Sequence, residues 1–311
     1  MPELKNGFNP DWVSPPGDTI ADLIEEKGWT QAELATRLGC TEKHLSQLIN
    51  GKVTLTTDVA MDLERVLGPE VDFWLAREAN YQKHKARLEA EENYSSWTPW
   101  LDKLPIRELM SIDAIPTLRN VPKNKTKIVE SCLKYFCVAS PDEWDEQYGQ
   151  MQFQFRRSTA KKADIGAISA WLRLGEIKLE STDLNKYDRR KFESTLFDIR
   201  AMTRQSPEDF LPTMTRLLGE AGVCFVVVPA IPRAKVSGIA RWISPTKAVI
   251  QLSLYGKSND KFWFTFFHEA AHILLHADKR EDKKSIFLDE FNGDDSTNTQ
   301  EHEANTWAAN F

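Results

Sequence analysis

The chain has 311 residues, of which 41% are hydrophobic, and its formal net charge at pH 7 is -6. This length suits about two folded domains, and the acidic balance argues against a surface coated with basic residues for nucleic acid. No apolar run reaches the roughly 18 residues of a membrane-spanning helix, and the N-terminus has no basic segment followed by an apolar core. The four cysteines have no CxxC spacing and are expected to be reduced thiols. These features predict a cytoplasmic protein with no membrane segment.

Residues 11–83 are predicted to form a bundle of short helices. Thr30 precedes a stretch with helical spacing of apolar residues and has Glu33 three positions later, which is the pattern of a capping box. That helix stops at Gly39, and Thr41 caps the next one. Two short helices joined by a glycine-containing turn form a helix-turn-helix, whose second helix lies in the major groove of DNA.

The predicted contacts with DNA lie within residues 30–52. They are Gln31, Thr41, Lys43, His44, Gln47 and Lys52. The second helix would present its side chains to base edges, whereas Gln31 and Lys52 would hold phosphates. Residues 17–83 contain 12 acidic and 7 basic residues, so a single copy would attract DNA weakly, and we expect a homodimer that reads two half-sites. The alternative is a small helical bundle kept for contacts with other proteins.

The middle of the chain is predicted to be helical throughout. A charged continuation of the first bundle begins a helical connector, which we place at residues 84–160. Apolar residues at spacings of three and four, separated by prolines and polar turns, predict six helices. These helices span residues 105–112, 125–136, 141–150, 164–179, 189–203 and 207–220.

Residues 161–311 are predicted to form the last domain, in which strands appear. Three apolar runs are typical of strands, and the polar residues 244–247 are typical of a hairpin turn. The strands are expected at residues 223–228, 238–243 and 248–254. A small antiparallel sheet packed on a helix makes the fold class α+β, mostly helical.

The helix after the last strand carries the sequence His268-Glu269-Ala270-Ala271-His272. Residues four apart on a helix are about 40° apart around its axis, so both imidazoles lie on one face, where a metal ion can bridge them. Glu269 is offset by about 100° and can reach a metal-bound water. The pattern, HExxH, predicts a zinc site with His268 and His272 as ligands and Glu269 as catalytic base for amide hydrolysis. The alternative is a chance match, although such residues are costly to bury without partners.

A third metal ligand is expected on a downstream amphipathic helix, which begins with Glu301 and Glu303. These two carboxylates point to roughly opposite faces of the helix, so only one of them can face the metal. His276 continues the four-residue spacing but lies about 12 Å along the axis from His268, too far to share one ion on an unbroken helix. We therefore expect His276 behind the ligands or at the end of the helix.

The first part of the chain resembles a known family. The runs QAELATRLG and TEKHLSQLINGK, within residues 31–52, resemble the XRE family of phage-repressor-like DNA-binding domains. The extension over residues 68–81 resembles the subgroup found in HigA-type antitoxins.

The last part resembles the ImmA/IrrE family of zinc-dependent metallopeptidases. The resemblance is carried by FTFFHEAAHILLH at residues 264–276, EHEANTWAANF at residues 301–311, and the strand pair before them. In that family the third zinc ligand is a Glu within a Glu-Ala…Phe-Ala pattern, which implies Glu303, with Trp307 in the place of Phe. The C-terminal domain is accordingly expected to be zincin-like.

Together the resemblances imply an antitoxin-like, DNA-binding transcriptional regulator with a zinc-dependent endopeptidase domain that cleaves a regulatory protein. Its partners would be operator DNA and a protein substrate or a cognate toxin or repressor. The rival hypothesis is a DNA-binding repressor whose zincin-like domain is a catalytically silent sensor or docking module. Hydrolysis also needs a donor for the oxyanion that develops on the substrate, and the candidates are Tyr255 and Arg241.

Overall fold

The structure, a computed structural model, describes residues 14–119, 121–149, 164–253, 258–276, 286–290 and 299–311. The chain divides into two compact units, with the boundary between Ser96 and Trp97. The fold is α+β and mostly helical, as predicted. Among the described residues, no helix is both long and apolar enough to span a bilayer.

Within residues 14–96, the first unit consists of five helices. They are α1 (Pro16–Glu26), α2 (Gln31–Leu38), α3 (Glu42–Ile49), α4 (Thr57–Leu67) and α5 (Val71–Ser96). Their apolar faces meet in one core, whose fully buried members include Ile20, Leu34, Leu45, Leu63 and Trp74. Helices α1 and α3 approach closely because Gly17 has no side chain: a Cβ there would lie 1.9 Å from the carbonyl oxygen of Ile49.

Threonine caps determine where the two helices of the helix-turn-helix begin. Thr30 Oγ1 accepts a hydrogen bond from the Glu33 backbone N–H at 3.1 Å, and Thr41 Oγ1 accepts one from His44 at 3.2 Å. Both start positions agree with the sequence analysis. Gly39 has a φ of 66°, the left-handed conformation that glycine adopts without strain, and it ends α2.

Helix α5 runs for 26 residues without a break, and the predicted domain boundary at residue 83 lies inside it. The charged stretch after residue 83 continues this helix, as its sequence indicated. At Trp97 the α-helix gives way to a 3-10 turn over Thr98–Lys103, where Pro99 lacks the N–H that a continuing α-helix would need. The first unit therefore ends with α5.

In the described part of the second unit, six helices precede the sheet. They are α6 (Ile106–Ser111), α7 (Pro122–Phe136), α8 (Pro141–Gly149), α9 (Ile165–Glu180), α10 (Arg189–Arg200) and α11 (Pro207–Glu220). Each lies where the sequence predicts a helix, with differences of a few residues at the ends. The remaining elements are β1 (Val223–Val228), β2 (Val236–Ser244), β3 (Lys247–Ser253), α12 (Asn259–Leu275), β4 (Ile286–Glu290) and α13 (Thr299–Asn310).

The four strands form one sheet in the order β1-β3-β2-β4. Strand β2 pairs antiparallel with β3 and β4, and Ser244 opposite Lys247 marks the predicted hairpin turn. Strand β1 pairs parallel with β3, so the prediction of an antiparallel sheet is wrong for this pair. The hairpin places β3, and not β2, beside β1. Because chain direction reverses at each connection, β1 and β3 then run the same way.

The two faces of the sheet are covered by different helices. Side chains alternate along a strand, and Ala240 and Trp242 of β2 join the same core as Phe266 of α12. Arg241, between them, points to the other face and pairs with Glu176 of α9 at 2.9 Å. The sheet thus separates α12 from α9.

Candidate functional site

Helix α12 buries the HExxH motif in its C-terminal half. The exposed fractions of His268, Glu269 and His272 are 1%, 0% and 0%. Phe266 and Ile273 on the same helix are also fully buried and belong to the main core. Packing against the sheet therefore fixes this helix and the direction of its polar side chains.

Three donor atoms converge on one point beside α12. The Nε2 atoms of His268 and His272 are 3.0 Å apart. Glu301 of α13 brings Oε2 to 3.2 Å from His268 Nε2 and Oε1 to 3.4 Å from His272 Nε2. Among the described residues, these three form a group whose ligand atoms all lie within 4.8 Å of one another.

The distances between these donor atoms suit a zinc ion. Zinc bonds to histidine nitrogen and carboxylate oxygen are about 2.0–2.1 Å long, so two ligand atoms of a tetrahedral site are about 3.3 Å apart. The distance of 3.0 Å between the two Nε2 atoms and the distances of 3.2 and 3.4 Å from them to one or the other oxygen of Glu301 lie close to this value. Three protein ligands leave a fourth position open, as in catalytic zinc sites. The residues therefore fit the metal.

The carboxylate beside the two imidazoles belongs to Glu301, whereas the family resemblance implies Glu303 as the third ligand. Glu303 Oε2 instead lies 3.1 Å from His276 Nε2, and its side chain is 54% exposed. The spacing of Glu301, Ala304 and Ala308 explains the difference. The two alanines are the buried residues of α13, and a residue three positions before Ala304 shares their face. This helical spacing is the signal by which the sequence could have identified Glu301.

Burial and hydrogen bonding shift the pKa values of Glu301 and His272 in opposite directions. Burial raises the pKa of Glu301, but hydrogen bonds from His268 and His272 outweigh it and lower that pKa to about 2. Burial lowers the pKa of His272, and the nearby Glu301 offsets this only in part. The group therefore favours an ionised carboxylate and a neutral His272, which are the forms that bind a metal ion.

The second ring nitrogens of the two histidines also have close neighbours. His268 Nδ1 lies 3.0 Å from Asn305 Oδ1, and His272 Nδ1 lies 3.1 Å from His276 Nδ1. His276 follows the last residue of α12, at the helix end, as expected from the sequence. The sequence analysis did not find Asn305, although its position four residues after Glu301 places both on one face of α13.

Glu269 lies against strand β2, where a glycine makes room for it. A Cβ added to Gly238 would lie 2.7 Å from Glu269 Oε1 and 2.7 Å from Thr265 Cγ2. Such separations are shorter than van der Waals contacts, so only glycine allows the strand to approach this closely. The strand thus limits where the Glu269 carboxylate can sit.

A cavity of about 510 Å³ lies beside the N-terminal half of α12. Its lining is mainly apolar and includes Phe210, Leu252 and Phe262. Thr265, one helical turn before Glu269, and Ser237, next to Gly238, also line it. The volume lies in the range of binding sites for small ligands and side chains, and the cavity begins within a helical turn of the motif.

Of the two predicted oxyanion donors, Arg241 does not lie at the motif. Arg241 lies on the sheet face that contacts α9, where it pairs with Glu176, because adjacent residues of a strand point to opposite faces. Tyr255 lies outside the described residues.

The residues predicted to contact DNA lie on or next to α2 and α3. Five of them are exposed: Gln31, Thr41, Lys43, His44 and Lys52. Gln47 is half-buried and lies one turn after Lys43 on the same face of α3. Thr41 is exposed and available to a DNA partner, but its hydroxyl already accepts the hydrogen bond that caps α3. The residue therefore also stabilises the start of α3.

Comparisons with known proteins cover both ends of the chain. Residues 20–74 match the family model described as helix-turn-helix, and residues 231–311 match that of the IrrE N-terminal-like domain. Among solved structures, a candidate antidote protein of a plasmid maintenance system from Nostoc punctiforme PCC 73102 is 29% identical over 27% of this chain and 94% of its own, with a TM-score of 0.26. No curated protein matches the chain. The chain therefore joins an XRE-type helix-turn-helix domain to an IrrE/ImmA-like, metallopeptidase-like domain.

Proposed function

We propose that the protein is a DNA-binding regulator whose second unit is a zinc-dependent endopeptidase that cleaves a regulatory protein. The observation that carries the peptidase proposal is the convergence of His268, His272 and Glu301 beside Glu269. The match to the IrrE N-terminal-like domain supports it.

Each residue of the motif has a separate task in this proposal. His268, His272 and Glu301 would hold the zinc ion, which when bound would supply a Lewis acid and lower the pKa of a water toward neutrality. Glu269 accepts the proton of the attacking water and delivers it to the nitrogen of the leaving amine. The contact with Gly238 holds the Glu269 carboxylate close to one orientation, which reduces the entropy lost in the reaction.

The cavity beside α12 is where we place part of the substrate. Its apolar wall suits an apolar side chain of a polypeptide. Thr265, one helical turn before Glu269, lines the cavity, so a side chain bound there would lie within about one turn of the proposed base. Cleavage next to an apolar side chain would make the peptidase selective and so suits a regulatory role.

The test compares Glu269→Gln with the unchanged protein. We expect the variant to keep about one zinc per chain, measured by elemental mass spectrometry, because Glu269 is not a ligand. Cleavage of a peptide library, followed by labelling of new N-termini, should fall by about two to four orders of magnitude, because the amide cannot accept the proton. Glu208→Gln, an exposed change on α11, is the matched control.

Two outcomes would contradict the proposal. Cleavage that persists in Glu269→Gln would refute the assigned base. Zinc binding without cleavage of any peptide by the unchanged protein would favour the rival function, in which the second unit is a silent sensor or docking module.

The first unit is proposed to bind operator DNA through α3. Lys43 and His44 are exposed in the first turn, and Gln47 lies on the same face as Lys43. Replacing Lys43 and Gln47 by alanine should weaken binding to the DNA upstream of the protein's own gene, with Lys85→Ala as the control at another exposed lysine. Equal affinity for that DNA and for random DNA at every salt concentration would refute operator recognition.

A further inference from the structure

Each of the two metal-binding imidazoles has a second nitrogen that faces away from Glu301. The Nε2 atoms face the other ligand atoms, so in the zinc-bound form, where each Nε2 lone pair is taken by the ion, the hydrogen of each neutral ring must lie on Nδ1. We infer that Asn305 and the pair His276–Glu303 are positioning residues that accept these hydrogens and hold both rings for zinc. The inference rests on the proposed zinc site.

Asn305 positions the ring of His268. Its Oδ1 lies 3.0 Å from His268 Nδ1, so the side-chain carbonyl accepts the Nδ1–H hydrogen bond. Asn305 is one turn after Glu301 on α13, so the same helix supplies a ligand and the partner of another ligand. A hydrogen bond of this kind fixes both the tautomer and the orientation of the imidazole.

His276 positions the ring of His272. The two Nδ1 atoms are 3.1 Å apart, and two N–H groups cannot point at each other at that distance. Since His272 Nδ1 must donate, His276 Nδ1 must be the acceptor, and its own hydrogen lies on Nε2. That Nε2 is 3.1 Å from Glu303 Oε2, which accepts it.

The contacts therefore form two chains of hydrogen bonds, of different length, behind the zinc ligands. One runs from His268 directly to a neutral amide. The other runs from His272 through His276 to Glu303, whose negative charge makes the intervening imidazole a stronger acceptor. This assigns a role to Glu303, the residue that its sequence pattern suggested as a ligand.

Asn305 is tested by measuring zinc affinity in competition with a fluorescent chelator. Asn305→Ala should bind zinc about tenfold to a hundredfold more weakly, whereas Asn305→Asp keeps an acceptor oxygen and should retain affinity. Asn310→Ala, at an exposed asparagine on the same helix, is the matched control. Circular dichroism checks that each variant is folded.

Glu303 is tested by the same measurement of zinc affinity and by determining which ring nitrogen of His276 carries the hydrogen. Glu303→Ala should weaken zinc binding by less than Asn305→Ala, because it acts through a second ring and its side chain is half exposed. Nitrogen NMR of the zinc-loaded protein should show His276 with its hydrogen on Nε2. His302→Ala, an exposed neighbour, is the control.

The outcomes separate this inference from the proposed function. A zinc affinity of Asn305→Ala within twofold of the unchanged protein, or a His276 hydrogen on Nδ1, would overturn the positioning roles even if the protein cleaves peptides. Failure of the unchanged protein to bind zinc would refute the metal site itself.

Discussion

Gly238→Ala tests whether the contact between β2 and α12 sets the position of the Glu269 carboxylate, the proposed base. The added methyl group would lie 2.7 Å from Glu269 Oε1, 2.7 Å from Thr265 Cγ2 and 2.9 Å from Leu252 Cδ2. A normal contact between carbon and oxygen is about 3.4–3.5 Å, so strand and helix must separate by roughly 0.7 Å or the carboxylate must rotate. Overpacking of this kind costs about 1–3 kcal/mol.

The same displacement should reduce turnover more than it reduces metal binding. A misplacement near 1 Å can cost about a hundredfold in rate, so we expect kcat to fall by roughly tenfold to a hundredfold. Zinc content should stay the same, because the Gly238 contact involves Glu269 and none of the three ligands. The assay is cleavage of a peptide found in the library screen, together with thermal unfolding of the zinc-loaded protein.

Gly219→Ala provides the control for this prediction. A Cβ at Gly219 would meet Leu184 Cδ2 at 3.6 Å, an ordinary contact, and the residue lies inside α11, where alanine is favoured by about 1 kcal/mol. Stability and turnover should therefore be unchanged or slightly improved. If Gly238→Ala behaves like Gly219→Ala in both assays, the strand does not hold the carboxylate and the reasoning fails.

Three further predictions concern the ligands and the caps. Glu301→Ala should abolish zinc binding at micromolar zinc, measured by mass spectrometry, because it removes a charged ligand; retained stoichiometric zinc would return the role to Glu303. Since burial lowers the pKa of His272 from its ordinary 6.5, the ring stays neutral below that pH, and zinc affinity should decline only at more acidic pH; a decline centred on 6.5 would contradict this. Thr41→Ala should destabilise the first unit by about 1 kcal/mol in a urea titration, because a helix cap is lost, and a loss no greater than that of exposed Thr54→Ala would contradict the capping role.

The sequence predicted those features that depend on local spacing. The helix starts at Thr30 and Thr41 and the common face of His268 and His272 follow from hydrogen-bonding and periodicity rules that act over four residues. The structure reproduces the helix starts and places the two imidazoles side by side.

Features that depend on contacts between distant segments were harder to predict. The parallel pairing of β1 with β3 depends on which strand lies next to β1 in the sheet. The apolar pattern of each strand does not indicate its neighbour. The family pattern favours Glu303, whereas the three-and-four spacing with Ala304 and Ala308 favours Glu301, and the sequence alone does not decide between the two patterns. Asn305 shares a helix face with Glu301, but this position is informative only once Glu301 is taken as a ligand, since the role of Asn305 depends on a ring that lies 37 positions away in the chain.

A zinc ion held by ligands on both α12 and α13 would cross-link two helices that are separated in the chain by residues 276–298. Ordering α13 against α12 costs conformational entropy, and a bound ion would offset part of this cost. The ion would then lengthen the time for which α13 stays packed on α12. The stacked rings of Trp307 and Phe311 belong to this helix and its end. A chelator should therefore speed proteolysis within α13 well before it affects cleavage elsewhere in the chain.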